Sequence, residues 1–264
     1  MNGVRAAYAA EPGAWATGAE LVYRPLAAAL VGASPIPLAG RTVLDVGAGT
    51  GAVSAALVAA GARPVAVDLT AEMLAHGAAG RPPAAAGDVL ALPFRGGAVG
   101  AAVAAFVLNH LTAPEQALRE LHRVVAPGGA VLAAVFSNDD RPPLKDGIDA
   151  VARRFGWTAP GWYVELKDRA APLLGTVGAM AATAVSAGLA EVEAVERTVD
   201  PHLSPEEVVR YRLSLAHLAP FVAGLAPEAQ RALWEEAVAL AHATPEPYAP
   251  AIVILSARSA QRSS

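Results

Sequence analysis

The chain has 264 residues, of which 54% are hydrophobic and 17% charged, and its formal net charge is −4 at pH 7. This composition excludes a disordered chain and predicts a compact globular protein with a large core. No lysine- or arginine-rich run is present to attract a phosphate backbone, so we expect no nucleic-acid partner. The absence of cysteine excludes disulfides, thiolate metal sites and a cysteine nucleophile. We also expect a cytoplasmic protein without a membrane partner, because no apolar run reaches the roughly 18 residues of a membrane span.

The first part of the chain is predicted to form a helical cap followed by an α/β core. The cap covers residues 1–40 and ends where Pro35 and Pro37 interrupt the helix. Short apolar runs then alternate with helical segments over residues 41–137, which is typical of strand–helix units in a parallel sheet. The predicted strands cover 41–46, 64–68, 84–88, 98–106 and 130–136, and the predicted helices cover 50–60, 71–77 and 113–125.

The second part combines two predicted covering segments with the end of the core. Residues 138–175 are rich in proline, glycine and aromatic residues, and are predicted to be an irregular insertion that covers the substrate. A core helix and strand follow within residues 176–199. Residues 200–248 are predicted to be a helical cap insertion, with Ser204 as the helix cap and proline in the first turn. The apolar run in 249–258 is the predicted final strand of the core.

The segment Val43–Gly51, with the sequence VLDVGAGTG, predicts a strand that ends in a glycine turn at a helix N-terminus. Such a turn can hold either of two cofactors. Gly47, Gly49 and Ala52 also satisfy the looser dinucleotide fingerprint, and Asp68 stands where the ribose of either cofactor would need an acid. Asp45 favours S-adenosylmethionine (SAM) over a dinucleotide, because a carboxylate there repels a pyrophosphate and attracts a cationic amino acid.

Five ordered segments carry a family resemblance. They are VLDVGAGTG, VAVDLT, GDVLALPF, AAFVLNHL and LRELHRVVAPGGAVLAAVF. In this order they resemble class I SAM-dependent methyltransferases, most closely the branch of the ubiquinone and menaquinone biosynthesis methyltransferases (methyltransferase type 11). The resemblance implies a Rossmann-like three-layer α/β sandwich. Its sheet would be mostly parallel and seven-stranded, with an antiparallel last strand and helical cap insertions, and SAM would be the cofactor.

The resemblance also implies roles for individual residues around the methionine end of the cofactor. Asp45, Gly47 and Gly49 would surround the methionine portion, and Phe106 at the end of the fourth strand would lie close to the sulfonium. One position departs from the family pattern, since Gly100 stands where the fourth strand often opens with an aspartate. That position is usually structural in the family, so the cofactor prediction is retained.

At the adenosine end, the resemblance assigns four further residues. Asp68 would accept hydrogen bonds from the ribose hydroxyls, and Leu69 would flank the adenine. Asp88 would accept a hydrogen bond from the adenine amino group, with Val89 beside it. The alternative for Asp88 is a turn carboxylate with a local structural role.

His110 is the candidate catalytic residue. Methyl transfer from a sulfonium depends chiefly on alignment, and a general base is needed only when the acceptor atom carries a proton. His110 follows the fourth strand at the carboxyl edge of the sheet, where ligands of such folds bind. The alternative is a loop histidine whose hydrogen bonds are made to the backbone. No metal site is predicted, although Asp139 and Asp140 follow the fifth strand.

Six aromatic residues outside the core segments are candidate substrate contacts: Tyr8, Trp15, Trp157, Trp162, Tyr163 and Tyr211. An aromatic pocket with few charges suits a largely hydrophobic small molecule. The alternative is that these side chains pack the caps onto the sheet. The acceptor atom and the oligomeric state are left open.

The leading functional hypothesis is SAM-dependent methyl transfer to such a metabolite, in specialised natural-product biosynthesis. Three alternatives remain at this point. The first is a SAM-fold enzyme that catalyses cyclisation or rearrangement without methyl transfer. The second is a dinucleotide-dependent oxidoreductase, and the third is a non-catalytic partner subunit with the same fold.

Overall fold

A seven-stranded sheet organises the molecule. The computed structural model describes residues 2–76 and 78–260. The strands run in the order β3-β2-β1-β4-β5-β7-β6 across the sheet. Their bounds are β1 Thr42–Val46, β2 Arg63–Asp68, β3 Ala84–Ala86, β4 Val99–Ala105, β5 Val125–Phe136, β6 Leu189–Thr198 and β7 Ala251–Ser259. The first five strands in chain order pair in parallel, and β7 is antiparallel to both β5 and β6. The predicted sheet is therefore confirmed, including its antiparallel last strand.

Helices cover both faces of the sheet. Their bounds are α1 Asn2–Ala10, α2 Pro12–Ala14, α3 Glu20–Gly32, α4 Ala52–Ala59, α5 Ala71–Ala75, α6 Pro114–Val124, α7 Pro143–Arg154, α8 Gly161–Glu165, α9 Val177–Ser186, α10 Pro205–Leu213, α11 Ala219–Ala223 and α12 Pro227–Ala243. Single turns of other helix types occupy 15–19, 78–80, 108–110, 166–170 and 171–173. Across 2–76 and 78–260, no helix is both long enough and apolar enough to cross a membrane.

Two cores form because successive residues of a strand face opposite sides of the sheet. Val43 and Val103 face the core that contains α3 and the C-terminal helices. Leu44 and Ala104 face the core that contains α6 and α9. The central strand β4 reads VGAAVAA, and its alanines give both layers of helices room to approach the sheet. Burial on both faces explains why these strands lack polar alternation.

The segment 138–175 differs from its prediction, because it is mostly helical and not irregular. Helix α7 places Leu144, Ile148 and Val151 on one buried face at helical spacing. Pro143 lies in the first turn, where proline is compatible with a helix. The prediction missed this helix because the prolines of the segment stand at helix ends, and Gly147 lies within α7 without interrupting it.

The C-terminal helical segment begins as predicted and is then divided. Ser204 Oγ accepts a hydrogen bond from Glu207 N at 3.2 Å, and a Glu207 carboxylate oxygen accepts one from Ser204 N at 2.9 Å. This reciprocal pair confirms the predicted helix start. The single stretch expected to reach residue 243 is three helices, because Pro220 and Pro227 each lie in the first turn of a new helix.

Candidate functional site

The glycine turn after β1 lies at the carboxyl edge of the sheet, beside the ends of β2 and β4. Gly47 and Gly49 have φ values of +69° and +52°, a conformation that favours glycine. A Cβ atom on Gly47 would also collide with the side chain of Val107. The N–H groups of Gly47 and Ala48 both donate to Val67 O, at 2.7 and 3.0 Å. The turn is thus held to β2 and leaves an open space above it.

Asp68, at the end of β2, is tied directly to this turn. One carboxylate oxygen accepts from Gly49 N at 2.8 Å, and the other accepts from Thr70 N at 2.8 Å. Burial raises the pKa of Asp68 above its ordinary value, and these two hydrogen bonds act in the opposite direction. Because each carboxylate oxygen can accept more than one hydrogen bond, Asp68 retains capacity for a ligand hydroxyl.

Arg81 braces the same turn, and the sequence analysis did not identify it. Its guanidinium donates to Gly49 O at 2.8 Å and to Met73 O at 2.9 Å. The turn is therefore held from two sides, by Asp68 through a backbone N–H and by Arg81 through a backbone carbonyl. An arginine in the irregular segment between α5 and β3 carries no motif that would have indicated this contact.

A first cavity opens above the glycine turn. Seven of the eight predicted cofactor residues line it: Gly47, Gly49, Asp68, Leu69, Asp88, Val89 and Phe106. One carboxylate oxygen of Asp88 accepts from Leu90 N at 2.9 Å, which fixes the side chain beside the cavity. A Cβ atom on Gly87 would lie 2.9 Å from Val67 Cγ1, so the chain passes closely there. These positions fit a nucleoside that needs carboxylate acceptors at both the sugar and the base.

Phe106 is held in a left-handed backbone conformation, with φ +58°. A bulky residue rarely adopts it, and such strain concentrates at functional sites. Phe106 N donates to Ala134 O at 2.7 Å, which anchors the residue to β5. Its ring packs against Phe136 at 4.8 Å and Tyr23 at 5.1 Å between ring centroids. The strained backbone therefore directs an aromatic ring to the wall of the first cavity.

Asp45 is the predicted cofactor residue that does not line this cavity. It is fully buried behind the glycine turn, and one carboxylate oxygen accepts from Ser54 Oγ at 2.6 Å. Among the described residues the other oxygen has no hydrogen-bond partner. Burial raises the pKa of Asp45 to about 7. In this structure Asp45 joins β1 to α4, because its side chain turns inward from the strand end and not towards the opening.

This buried carboxyl group gives an expected pH dependence of stability. The folded protein holds the proton of Asp45 up to about pH 7, whereas an unfolded chain releases it near pH 4. The free energy of unfolding should therefore fall as the pH rises through this window, by roughly 4 kcal/mol. Urea denaturation at several pH values measures the slope. Asp45→Asn should flatten it, the exposed control Asp139→Asn should not, and equal slopes in both variants would contradict the expectation.

A second cavity adjoins the first, and four side chains line both: Tyr8, Trp15, Tyr23 and His110. Trp15 packs against Tyr23 and Tyr8, with ring centroids 5.1 Å apart in each pair. The N-terminal helices thus contribute aromatic side chains to the junction between the two cavities. Tyr23 follows Tyr8 and Trp15 along the N-terminal segment, and from the sequence the same two interpretations apply to it, a substrate contact or packing of the cap onto the sheet.

His110 lies in the turn after β4 and faces Tyr8 across the junction. Tyr8 Oη and His110 Nε2 are 3.3 Å apart. Burial lowers the pKa of His110 to about 4 and raises that of Tyr8 well above its usual value. His110 Nδ1 is buried without a hydrogen-bond partner in the described part of the chain. The pair is therefore neutral at physiological pH, and the imidazole can accept a proton.

The other predicted aromatic residues divide into two groups. Trp162, Tyr163 and Tyr211 line the second cavity. Trp157 does not; it is buried in the core, and its Nε1 donates to His217 O at 3.0 Å. Trp157 packs the covering segments together, which is the alternative considered for these residues. His217 itself lines the second cavity and stacks on Tyr163, with ring centroids 3.9 Å apart.

Four cationic side chains also line the second cavity, and the sequence analysis assigned a role to none of them: Arg141, Lys145, Lys167 and Arg212. The composition did contain one indication of this charged cavity. The chain has only two lysines, Lys145 and Lys167, and both belong to this cavity. Within the described ranges no group of three or more histidine or acidic side chains is arranged to hold a metal ion.

The sheet and the first cavity define a Rossmann-like α/β fold with a ligand site at the carboxyl edge of the sheet. Residues 44–133 match the model of the methyltransferase domain family. Over 156 residues the chain is 39% identical to a demethylmenaquinone methyltransferase of Renibacterium salmoninarum, which covers 55% of this chain and 64% of that relative. The chain thus matches less than two thirds of the length of this curated relative.

Solved structures show the same fold at low identity. Phosphoethanolamine N-methyltransferase 2 of Haemonchus contortus aligns with a TM-score of 0.57 and 16% identity, over 89% of this chain and 52% of that one. The [4+2]-cyclase SpnF aligns with a TM-score of 0.51 and 20% identity, over 90% and 81%. The fold by itself therefore accommodates more than one reaction. The matches confirm the predicted family resemblance, the fold and, through the methyltransferase domain, SAM as the cofactor.

Proposed function

We propose that the chain transfers a methyl group from SAM to a small molecule bound in the second cavity. One observation carries the proposal: Tyr8, Trp15, Tyr23 and His110 line both cavities, so ligands bound in the two cavities meet at these side chains. Methyl transfer needs this geometry, because donor and acceptor must be held in line and close together.

The residues of the first cavity fit SAM. Asp68 would accept from the ribose hydroxyls, and Asp88 would accept from the adenine amino group. Leu69 and Val89 would flank the adenine as apolar neighbours. The methionine portion would lie against the glycine turn, because Gly47 and Gly49 line the same cavity. When bound, SAM supplies an electrophilic methyl group on a sulfonium.

The chain's own contribution to the chemistry is to orient the acceptor and to receive its proton. His110 is neutral, so Nε2 can accept a proton from an acceptor hydroxyl or amine that displaces the Tyr8 contact. Tyr8 keeps its own proton because burial raises its pKa. It would therefore act as a positioning residue that donates a hydrogen bond.

The acceptor is proposed to have an apolar body, as the sequence indicated. Residues of 138–175 and 200–248 form much of the wall, and Trp162, Tyr163 and Tyr211 are its aromatic members from these segments. This lining supports the proposed role of both segments as the acceptor cover. A place in specialised metabolism is part of the same proposal and rests on the aromatic lining of the cavity, which suits a polyketide, terpene or aromatic metabolite. The four cations of the second cavity indicate that the acceptor also carries a polar group.

Cofactor binding tests the proposal first. Asp68→Ala should weaken binding of S-adenosylhomocysteine about 100-fold, because two charge-assisted hydrogen bonds of roughly 1.5 kcal/mol each would be lost. Isothermal titration calorimetry measures the change. Asp200→Ala, in the segment after β6 and outside both cavities, is the matched control and should bind as the wild type does. Wild-type protein that fails to bind S-adenosylhomocysteine would refute the proposal.

Transfer of a labelled methyl group tests the reaction itself. Incubation with methyl-labelled SAM and a panel of phenols and aromatic amines should place the label on the acceptor. A panel member converted to a rearranged product without label would instead indicate the cyclisation or rearrangement alternative.

A further inference from the structure

Positive charge is concentrated in the part of the second cavity that the first cavity does not share. Its lining includes four cations and one carboxylate: Arg141, Lys145, Lys167, Arg212 and Asp140. We propose that this part binds an anionic group of the acceptor, a carboxylate or a phosphate, with Lys145 and Lys167 as direct contacts. The inference rests on the proposed function, because it names the chemical class of the acceptor for the same site.

Arg212 forms a structural ion pair with Asp149. Its guanidinium donates to both carboxylate oxygens of Asp149, at 2.7 and 2.6 Å, and both side chains are buried. A bidentate pair of this kind neutralises much of the arginine charge and fixes its orientation. Arg212 therefore forms part of the cavity wall, and the unmatched charge belongs to the other three cations.

The ammonium group of Lys145 has hydrogen-bond donors that its protein contacts leave unused. Its Nζ lies 3.4 Å from Asp140 Oδ2, which is longer than a strong charge-assisted hydrogen bond. The other oxygen of Asp140 accepts from Ala251 N at 3.0 Å. An ammonium group carries three donors, so one long contact leaves capacity for an anion. The side chain is 19% exposed, which places this capacity at the cavity wall and not in bulk solvent.

Lys167 and Arg141 complete the charged region at the exposed edge of the cavity. Within the described part of the chain neither forms an ion pair with an acidic side chain. Burial lowers the pKa of Lys167, and the neighbouring charges of Lys145, Arg141 and Arg212 lower it further. These cations thus repel one another across the cavity, and a bound anion would relieve that repulsion.

Aromatic side chains adjoin the charged region. Tyr163 stacks on His217 with their planes 3° apart, and Phe136, Trp162 and Tyr211 also line the cavity. Such walls favour an aromatic or other apolar body, and the cations favour an acid attached to it. The inferred acceptor is therefore an apolar acid. This adds an anionic group to the largely hydrophobic metabolite that was predicted from the sequence.

Calorimetry on the protein saturated with S-adenosylhomocysteine tests the inference. The probes are 4-hydroxybenzoate, phenyl phosphate and the neutral 4-hydroxybenzamide. At least one anion should bind about tenfold more tightly than the amide, and the comparison of the two anions identifies the preferred group. Lys145→Met should remove that preference and leave amide and S-adenosylhomocysteine binding within about twofold, while Lys145→Arg retains it.

Controls separate this inference from the proposed function. Arg95→Gln removes an exposed cation that lines neither cavity and should bind all probes as the wild type does. If Lys145→Met does not fold, Lys167→Met at the exposed edge should weaken anion binding about threefold. No anion preference in the wild type, or equal weakening of all probes in the variant, overturns the inference while S-adenosylhomocysteine binding still supports the proposed function. Loss of S-adenosylhomocysteine binding in the wild type overturns the proposed function.

Discussion

Replacement of Arg212 by methionine is expected to lower the free energy of unfolding by about 3–5 kcal/mol. Arg212 and Asp149 join α10 to α7 through two hydrogen bonds of 2.7 and 2.6 Å, and their side chains are 4% and 9% exposed. Burial is the largest single effect and would lower the pKa of Arg212. The hydrogen bonds to Asp149, together with the electrostatic interactions with Tyr163, Asp149 and Tyr211, outweigh it and raise the pKa. Removing the arginine would leave a buried carboxylate without its partner, which is the costly case for a buried pair.

Urea denaturation with two further variants separates this cause from lost packing. The double variant Arg212→Met/Asp149→Leu should recover most of the lost stability, because no buried charge then remains. The matched surface variant Arg154→Met breaks the exposed pair with Glu236, which joins α7 to α12, and should cost less than about 1 kcal/mol. A double variant as unstable as Arg212→Met would contradict the account and assign the effect to packing.

Replacement of His110 by phenylalanine is expected to lower kcat about 100- to 10,000-fold for an acceptor that loses a proton. The ring shape is kept, but the group that accepts the proton is removed. Tyr8→Phe should reduce kcat less, about tenfold, because it removes only one positioning hydrogen bond at the junction. Transfer of labelled methyl under saturating substrates measures both effects.

The pH profile gives an independent check on His110. Because burial lowers its pKa to about 4, the imidazole is neutral over the range where a free histidine titrates. Activity should therefore fall only as the pH drops towards about 4, and the pH profile of kcat should show no acidic limb near 6.5. A limb near 6.5 that disappears in His110→Phe would contradict the buried state, and an unchanged kcat in that variant would contradict the catalytic role.

Much of the cofactor site could be predicted from the sequence because its parts follow strand ends. Gly47 and Phe106 come directly after parallel strands, Asp68 is the last residue of one, and Asp88 follows another by two residues. Parallel strands end at one edge of the sheet, so residues that follow them must gather there. Asp45 shows the limit of this argument. Strand position places it at the same edge, but the direction of its side chain depends on Ser54 of α4, nine residues later.

The acceptor cavity could not be predicted in the same way. Its cations come from the segment before α7, from α7 itself, from the turn at 166–170 and from α10, and these elements span about 70 residues of the chain. No local sequence pattern predicts which helix faces come together around the cavity. The buried Arg212–Asp149 pair, which aligns α10 with α7, joins residues 63 positions apart. Helix α7 itself was missed, since the composition of the whole segment outweighed its apolar face.

The sequence by itself determined the glycine turn, the succession of the strands along the chain and the acids at their ends. Each of these depends on neighbouring residues and on the rule that parallel strands share an edge. Only the tertiary structure decided that Asp45 faces inward, that Tyr8 contacts His110 and that both lysines line one cavity. Those outcomes depend on helix packing, because long-range contacts between side chains set the direction and charge of a cavity wall.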